Sequence, residues 1–504
     1  MMILRLWPLV PVSICGVLSG CATASAPKGE GHVHSLIDAR YGSTVEWPDA
    51  AETRAAIDQR VAALLEGPLS PDSAVQIALL RNPRIQIEYA RLGIVSADVL
   101  DASRLSNPTL SVSVLKPLSG NVSDLIAGGL SQSFSDLLLL EARKRLAAGE
   151  FERMQLLIAD SLFDLIAAVR TAWYTAVGTE QIAAMRASVA KAAQTAAELA
   201  RQFHAAGNIS ALQLAAERAA AAQAHLAATR AHADSTRARA ALNELLGLRG
   251  QDTQWTITDR LATPVPQEDS PDSLLELARA KRLDLSAARS EVSLLEDSLS
   301  TTTRYRWMGG VDVGVAAERD HDGSRLIGPS LSLQLPIFNR GQGSIVRARG
   351  LLEERRAQLR ALEVNIETEV RLGTERIQTA REIAEEYRST LIPERENVVA
   401  RAQENANYML IGTFDLLLAK QQQYDAYQGY LEAVRDYWLA RVDLTRTVGA
   451  RLPSESAARA PLMGPEESPS EPSEGMHDIQ DMNHIARRPA SAPGQTTAHE
   501  GTLP

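Results

Sequence analysis

Few residues in this chain have the types and spacing that chemistry needs, and most of them lie near its ends. Cys21 follows Leu18-Ser19-Gly20, a four-residue pattern that looks like a lipobox. In that reading the Gly20–Cys21 bond is cut and Cys21 carries lipid. Residues 1–20 supply the signal peptide, with Arg5 as a short positive start and Leu6 to Val17 as a weakly broken apolar stretch. The plainer alternative is an ordinary signal peptide with an incidental cysteine. Ala22, not aspartate, comes next, which by the rule for lipoproteins sorts the chain to the outer membrane. At the other end stand Met476, His477, Met482 and His484. Thioether and imidazole ligands suit copper or silver ions; a solvated linker is the bland reading. His32 and His34 are weaker candidates, without the spacing of a structural zinc site. Asp415 closes the turn Gly412-Thr413-Phe414. It is either a helix N-cap or, in several copies of the chain, a carboxylate ring at an entrance. His204, His225 and His232 read as ordinary helix residues. No nucleophile motif, phosphate loop or paired-carboxylate constellation is present, so neither an enzyme nor a cofactor is expected.

The elements that would position these residues follow from composition. The chain has 504 residues, a net charge of −10 and only 4% aromatics. That charge, with no basic cluster, argues against a nucleic-acid partner. Past residue 20 no charge-free apolar run reaches the length of a membrane helix. A polytopic helical membrane protein is excluded, but alternating β-strands of a barrel are not. Proline is absent between Pro117 and Pro264, which suits a long helical hairpin because proline breaks helix interiors. Residues 453–504 hold 8 of the 23 prolines, with eight acidic residues against three basic. That composition predicts a disordered tail.

An internal repeat organises the middle. Ser70-Pro71-Asp72-Ser73 returns as Ser270-Pro271-Asp272-Ser273, each followed by an apolar-periodic helix, Ala74 to Leu80 and Leu274 to Ala280. Two strand candidates follow in each copy: Leu110 to Val114 and Gly129 to Phe134, then Val311 to Val315 and Ser330 to Leu335. Each pair feeds a very long helix, about Leu137 to Ala206 and about Ser344 to Leu410, a turn at Gly207 or Gly412, and a return helix. Pro393 predicts a kink or a break in the second long helix. The fold class is therefore mainly α with a small β part, built from a duplicated helix–strand–strand–long helix–helix unit. The boundaries are a signal peptide at 1–20, a lipidated N-terminal segment at 21–65, repeats at 66–250 and 266–452, and the tail at 453–504.

Four short strands cannot close a barrel, and open edges in lipid leave backbone groups unpaired. If the strands span a membrane, several chains share one barrel, and three chains give twelve strands. Leu331, Leu333 and Leu335 would then face lipid, and Ser330, Ser332 and Gln334 water. A soluble β-layer capping a coiled coil is the alternative. Tyr305 and Trp307, just before the third strand, are either an aromatic girdle or simple packing.

The order of several motifs resembles the TolC family of outer-membrane efflux proteins over about residues 66–452. Ala78-Leu79-Leu80-Arg81-Asn82-Pro83 looks like that family's helix ending in Asn-Pro. Gly328 to Phe338, with Leu335-Pro336-Ile337-Phe338 at its end, looks like the strand leading into the long helix. Ile392-Pro393, Tyr408, Gly412 and Leu416 to Gln421 follow in the family's order. Copy two departs from it, with Arg282-Leu283 in place of Asn-Pro. The resemblance implies a homotrimer with a trimeric α-barrel in the periplasm and a shared twelve-strand transmembrane β-barrel. It implies two partners, a periplasmic adaptor and an inner-membrane pump of the RND type. It also implies adaptor docking at the helix tips, Gly207 and Asn208 in one repeat and Gly412, Thr413 and Phe414 in the other. The expected function is passive export across the outer membrane, with heavy metal such as copper or silver as the first cargo and drugs or organic solutes as the alternative. A lipid-anchored periplasmic coiled-coil adaptor is the rival from another class.

Overall fold

The computed structural model describes residues 28–41, 47, 53–116, 124–257, 261–320 and 322–454. Cys21 and the Met476, His477, Met482 and His484 group lie outside them. Two helices precede the repeats, α1 (Glu30–Tyr41) and α2 (Arg54–Leu65). The first repeat runs α3 (Pro71–Arg81), α4 (Pro83–Ala102), β1 (Thr109–Leu115), β2 (Leu125–Ser133), α5 (Phe134–Ala205) and α6 (Ala211–Leu246). The second runs α7 (Pro271–Lys281), α8 (Leu283–Arg304), β3 (Val311–Arg319), β4 (Arg325–Leu333), α9 (Gln342–Glu386), α10 (Ile392–Asn407) and α11 (Thr413–Val448). Between α9 and α10 the chain makes one π-helical turn, Tyr387–Leu391. Pro393 lies in the first turn of α10, so the expected break is a π-bulge followed by a proline restart.

The expected fold class holds, with one element more per repeat. Helices α4 and α8 fill the stretches between the first helix and the strands. Pro83 reads as a stop for α3, but it is also the first residue of α4, where its missing N–H costs nothing.

Caps set the starts. Ser70 and Ser270 accept from the N–H of Ser73 and Ser273 at 3.0 and 3.3 Å, with proline at the first helical position. Ser133 ends β2 and caps α5 directly, accepting from the Asp136 N–H at 3.4 Å, so the long helix starts three residues before Leu137. The return helices both end on left-handed glycines, Gly247 (φ 68°) and Gly449 (φ 71°).

The buried core lies among the helices. Tyr174 stacks on Trp438 at 5.3 Å between α5 and α11. The Trp173 indole donates to the Leu69 carbonyl, and the Trp438 indole to the Ala262 carbonyl, both at 2.7 Å. These bonds tie the segments before α3 and α7 to the helical body. The segment before α7 is held further by a buried network, in which Arg441 pairs with Glu268 at 2.6 Å and the Tyr437 hydroxyl donates to Glu268 at 2.5 Å. Helix α1 bridges the repeats: the Tyr41 hydroxyl donates to Asp72 in the first, and in the second Arg40 Nε donates to the Lys281 carbonyl and the Arg451 N–H to the Arg40 carbonyl. His34 is spent in packing, bonded to the Tyr89 hydroxyl at 2.7 Å and stacked on Trp47. Burial lowers its pKa.

Candidate functional site

The four strands form one antiparallel sheet in the order β1-β2-β3-β4. Register divides most of its residues by polarity; Leu115, Leu125 and Leu326 fall on the otherwise polar face, and Gln132, Arg319 and Arg325 on the otherwise apolar one. One face carries Leu110, Val112 and Val114 on β1, Ile126 and Leu130 on β2, Val311, Val313 and Val315 on β3, and Ile327, Leu331 and Leu333 on β4. Most of these large apolar side chains are exposed, Ile327 by 79% and Leu110 by 72%. Exposure of such a stripe to water is unfavourable at about 25 cal/mol per Å². The opposite face carries Ser111, Ser113, Gly129, Ser131, Gly314, Ser330 and Ser332, with Asp312 and Glu318 as its acidic side chains. The outer edges of β1 and β4 have no strand partner among the described residues. Leu331 and Ser332 stand on the faces expected of them. Leu335 and Gln334 lie past the end of β4, where Gln334 N–H donates to the Gly310 carbonyl. Trp307 is exposed, with the guanidinium groups of Arg340 and Arg306 at 4.9 and 5.1 Å from its ring centre; Tyr305 caps the end of α8.

At the other end of the long helices are two tips. In the first, Gly207 takes φ 77° and Asn208 N–H donates to the Phe203 carbonyl at 2.8 Å. In the second, Leu410 N–H donates to the Asn405 carbonyl at 2.8 Å, and the left-handed residue is Met409 (φ 57°). Gly412 does not supply this turn; it takes φ −78° as the N-cap of α11. The tips superpose in sequence at an offset of 202, so Met409 fills the place of Gly207. Asp415 is not the N-cap either. It is the third residue of the helix and reaches back, its Oδ2 accepting the Gly412 N–H at 3.0 Å. Gln213 does the same for Ser210 at 3.1 Å, while Ser210 Oγ accepts from Gln213 N–H. Thr413 is exposed and Phe414 half-buried. Sequence reasoning missed the apolar knob of the second tip: Tyr408, Met409 and Leu410 are 77, 92 and 72% exposed.

Between sheet and tips, side chains cross-link the helices. Arg446 pairs with Asp164 at 2.6 Å, and Arg186 with Asp425 at 3.0 Å, both joining α5 to α11. Arg395 donates to Gln422 at 2.7 Å and Tyr427 to Glu396, joining α10 to α11. Among the described residues no cluster of potential metal ligands exists and no helix is long and apolar enough to cross a membrane.

No protein-family model matches the chain. It is 22% identical over 392 residues to the cobalt-zinc-cadmium resistance protein CzcC of Cupriavidus metallidurans, covering 76% of this chain and 90% of that relative. Among solved structures, a membrane protein from Pseudomonas aeruginosa aligns at TM-score 0.66 and 17% identity, over 81% of this chain and all of the other. The CmeC outer membrane channel of Campylobacter jejuni aligns at TM-score 0.61 and 14% identity, over 87% and 95% of the two chains. The chain has the fold of outer-membrane channels, as the resemblance to the TolC family implies.

Proposed function

We propose that this chain is a TolC-family outer-membrane channel, the passive export duct of a tripartite efflux system. The sheet carries the reading. It is mainly apolar on one exposed face, mainly small and polar on the other, and open at both edges among the described residues. Three copies laid edge to edge give twelve strands, leave no backbone edge in lipid and enclose a water-filled lumen. The long helices of three copies continue the lumen through the periplasm. With no phosphate-loop motif in the sequence, the driving energy comes from an inner-membrane pump of the RND type, joined by a periplasmic adaptor docked on the tips. Cys21 carries a lipid that adds a second attachment to the outer membrane.

The likeness to CzcC favours divalent heavy-metal cations as cargo, and the soft donors Met476, His477, Met482 and His484 are proposed to collect metal near the duct. Opening is an untwisting of the helices at the tips, resisted by the Arg186–Asp425 pair and the α10–α11 links.

The test is membrane fractionation with chemical cross-linking. The reading requires a trimer that stays in the outer membrane when Cys21→Ser removes the lipid. Release of that variant into the periplasm as a soluble protein refutes it. Deleting the chain from a host and measuring tolerance to cobalt, zinc, cadmium and copper, and to organic solutes, then decides the cargo.

A further inference from the structure

On the apolar face, β3 and β4 meet in four directly opposed pairs: Val311–Leu333, Val313–Leu331, Val315–Pro329 and Ala317–Ile327. The next pair towards the hairpin is Arg319 opposite Arg325. Both are exposed, and neither has an ion-pair partner among the described residues. Like charges directly opposed across a ladder stand about 5 Å apart at Cβ and destabilise it. Asp320 and Asp322 lie in the same hairpin, but no ion pair among the described residues offsets that repulsion. A polyoxyanion between the two guanidinium forks would reverse it, because each fork can bond two oxygens.

The level of the pair identifies the anion. From Val311 to Arg319 the strand rises about 27 Å at about 3.4 Å per residue. Tilted by about 40°, it gains about 20 Å of height, close to the ~25 Å apolar band of membrane strands. The arginines therefore stand where the apolar band ends, at the hairpin end, away from the helices. Resting on the duct reading, that end lies in the outer leaflet, where acyl chains cover the apolar ladder and phosphates lie at its rim. We propose that Arg319 and Arg325 form a binding site for the phosphate groups of lipopolysaccharide.

The test uses the full-length trimer, stripped of lipid in detergent, and follows its thermal melting. Bisphosphorylated lipid A should raise the melting temperature by several degrees; dephosphorylated lipid A and phosphatidylglycerol should not. In Arg319→Gln/Arg325→Gln the shift should fall to that of the dephosphorylated lipid, and Arg319→Lys/Arg325→Lys should keep part of it. If the double glutamine variant does not fold, Arg325→Gln alone must lose at least half the shift. Without lipid, Arg325→Gln should melt above the unsubstituted chain, since the repulsion is gone. Equal shifts in the unsubstituted and glutamine chains, or an equal shift with dephosphorylated lipid or phosphatidylglycerol, overturn the site. A chain absent from the outer membrane refutes the duct reading and the site together; an outer-membrane trimer with indistinguishable lipid arms refutes the site alone.

Discussion

Asn82 and Arg282 hold the same place in the two repeats and perform the same task with different groups. Asn82 Nδ2 donates to the Leu245 carbonyl at 2.7 Å; Arg282 Nη1 donates to the Thr447 carbonyl at 2.7 Å. Each target lies in the last turn of a return helix, where carbonyls lack intrahelical partners. Each junction also presses on the closing glycine: a Cβ on Gly247 would meet the Arg81 carbonyl oxygen at 2.8 Å, and one on Gly449 the Arg282 Cα at 3.0 Å. Arg282 further pairs with Asp284 at 2.7 Å. Arg282→Ala should therefore take the guanidinium from Asp284, which keeps only the Leu285 N–H, and leave the Thr447 carbonyl without its donor, at a cost of about 1–3 kcal/mol. Denaturant unfolding of the detergent-solubilised protein measures it; an unchanged midpoint would contradict the pairing.

Met409 occupies a backbone region that costs a side chain about 1–2 kcal/mol. Met409→Gly should recover about 1 kcal/mol, and Gly207→Met should lose a similar amount. Melting curves of the two variants read opposite signs. The exposed knob that Met409 shares with Tyr408 and Leu410 has no stability role, so Tyr408→Ser/Leu410→Ser should leave the melting temperature unchanged. If the adaptor docks there, the same variant should weaken adaptor cross-linking and lower metal tolerance.

These tips show what a sequence makes legible. The Ser-Pro-Asp-Ser repeats, the alternating strands and the proline-free arm are local signals, and the elements follow them. Pro83 is ambiguous because one residue both ends α3 and starts α4. The left-handed residue of the second tip is hidden because glycine is the usual marker and a methionine stands there; Gly412 drew attention to the wrong position. Asp415 is a capping residue from the third helical place, a role identical in sequence to an N-cap shifted by one turn. The Arg319–Arg325 opposition depends on register, which the hairpin fixes and no single strand reveals.

Asp160 should make stability depend on pH. Burial, then the neighbouring Asp284 and Asp164, push its pKa up to about 6, against the pull of Arg282 and Arg446. The folded chain thus binds a proton that the unfolded chain releases near pH 4. Stability from this group is present at low pH and falls as pH rises between about 4 and 6. Asp160→Asn keeps the shape without the charge. It should melt a few degrees above the unsubstituted chain at pH 7.5, and the difference should vanish near pH 4. A constant difference at both pH values would assign the effect to packing.

Asp312 and Glu318 are the acidic side chains on the polar face of the sheet, six residues or about 20 Å apart along β3. In a trimer they form two separate rings of three carboxylates, the arrangement that selects cations. At about 0.1 M salt their fields reach roughly 10 Å, so the rings act independently. In planar bilayers, Asp312→Asn and Glu318→Gln should each move the reversal potential in a salt gradient towards zero, and additively. The preference should fade near 1 M salt, where screening shortens to about 3 Å. A reversal potential unmoved by both substitutions would place the polar face away from the lumen.

The Arg186–Asp425 pair joins α5 to α11 thirteen residues past the second tip's N-cap, or about 20 Å along the helix. Asp425 is about half exposed, so the pair adds at most about 1 kcal/mol to folding. Its position gives it more weight in opening. If the tips untwist in opening, as proposed, α11 slides along α5, and a pair near the moving end should break early while the Arg446–Asp164 pair near the far end of α11 should persist. Asp425→Asn should leave the melting temperature within a degree or so. In bilayers the same variant should raise the open fraction of single channels several-fold, because about 1 kcal/mol is a factor of about five in a two-state equilibrium. Asp164→Asn should raise it less. Equal effects of the two substitutions would show that the helices move as one body rather than from the tip.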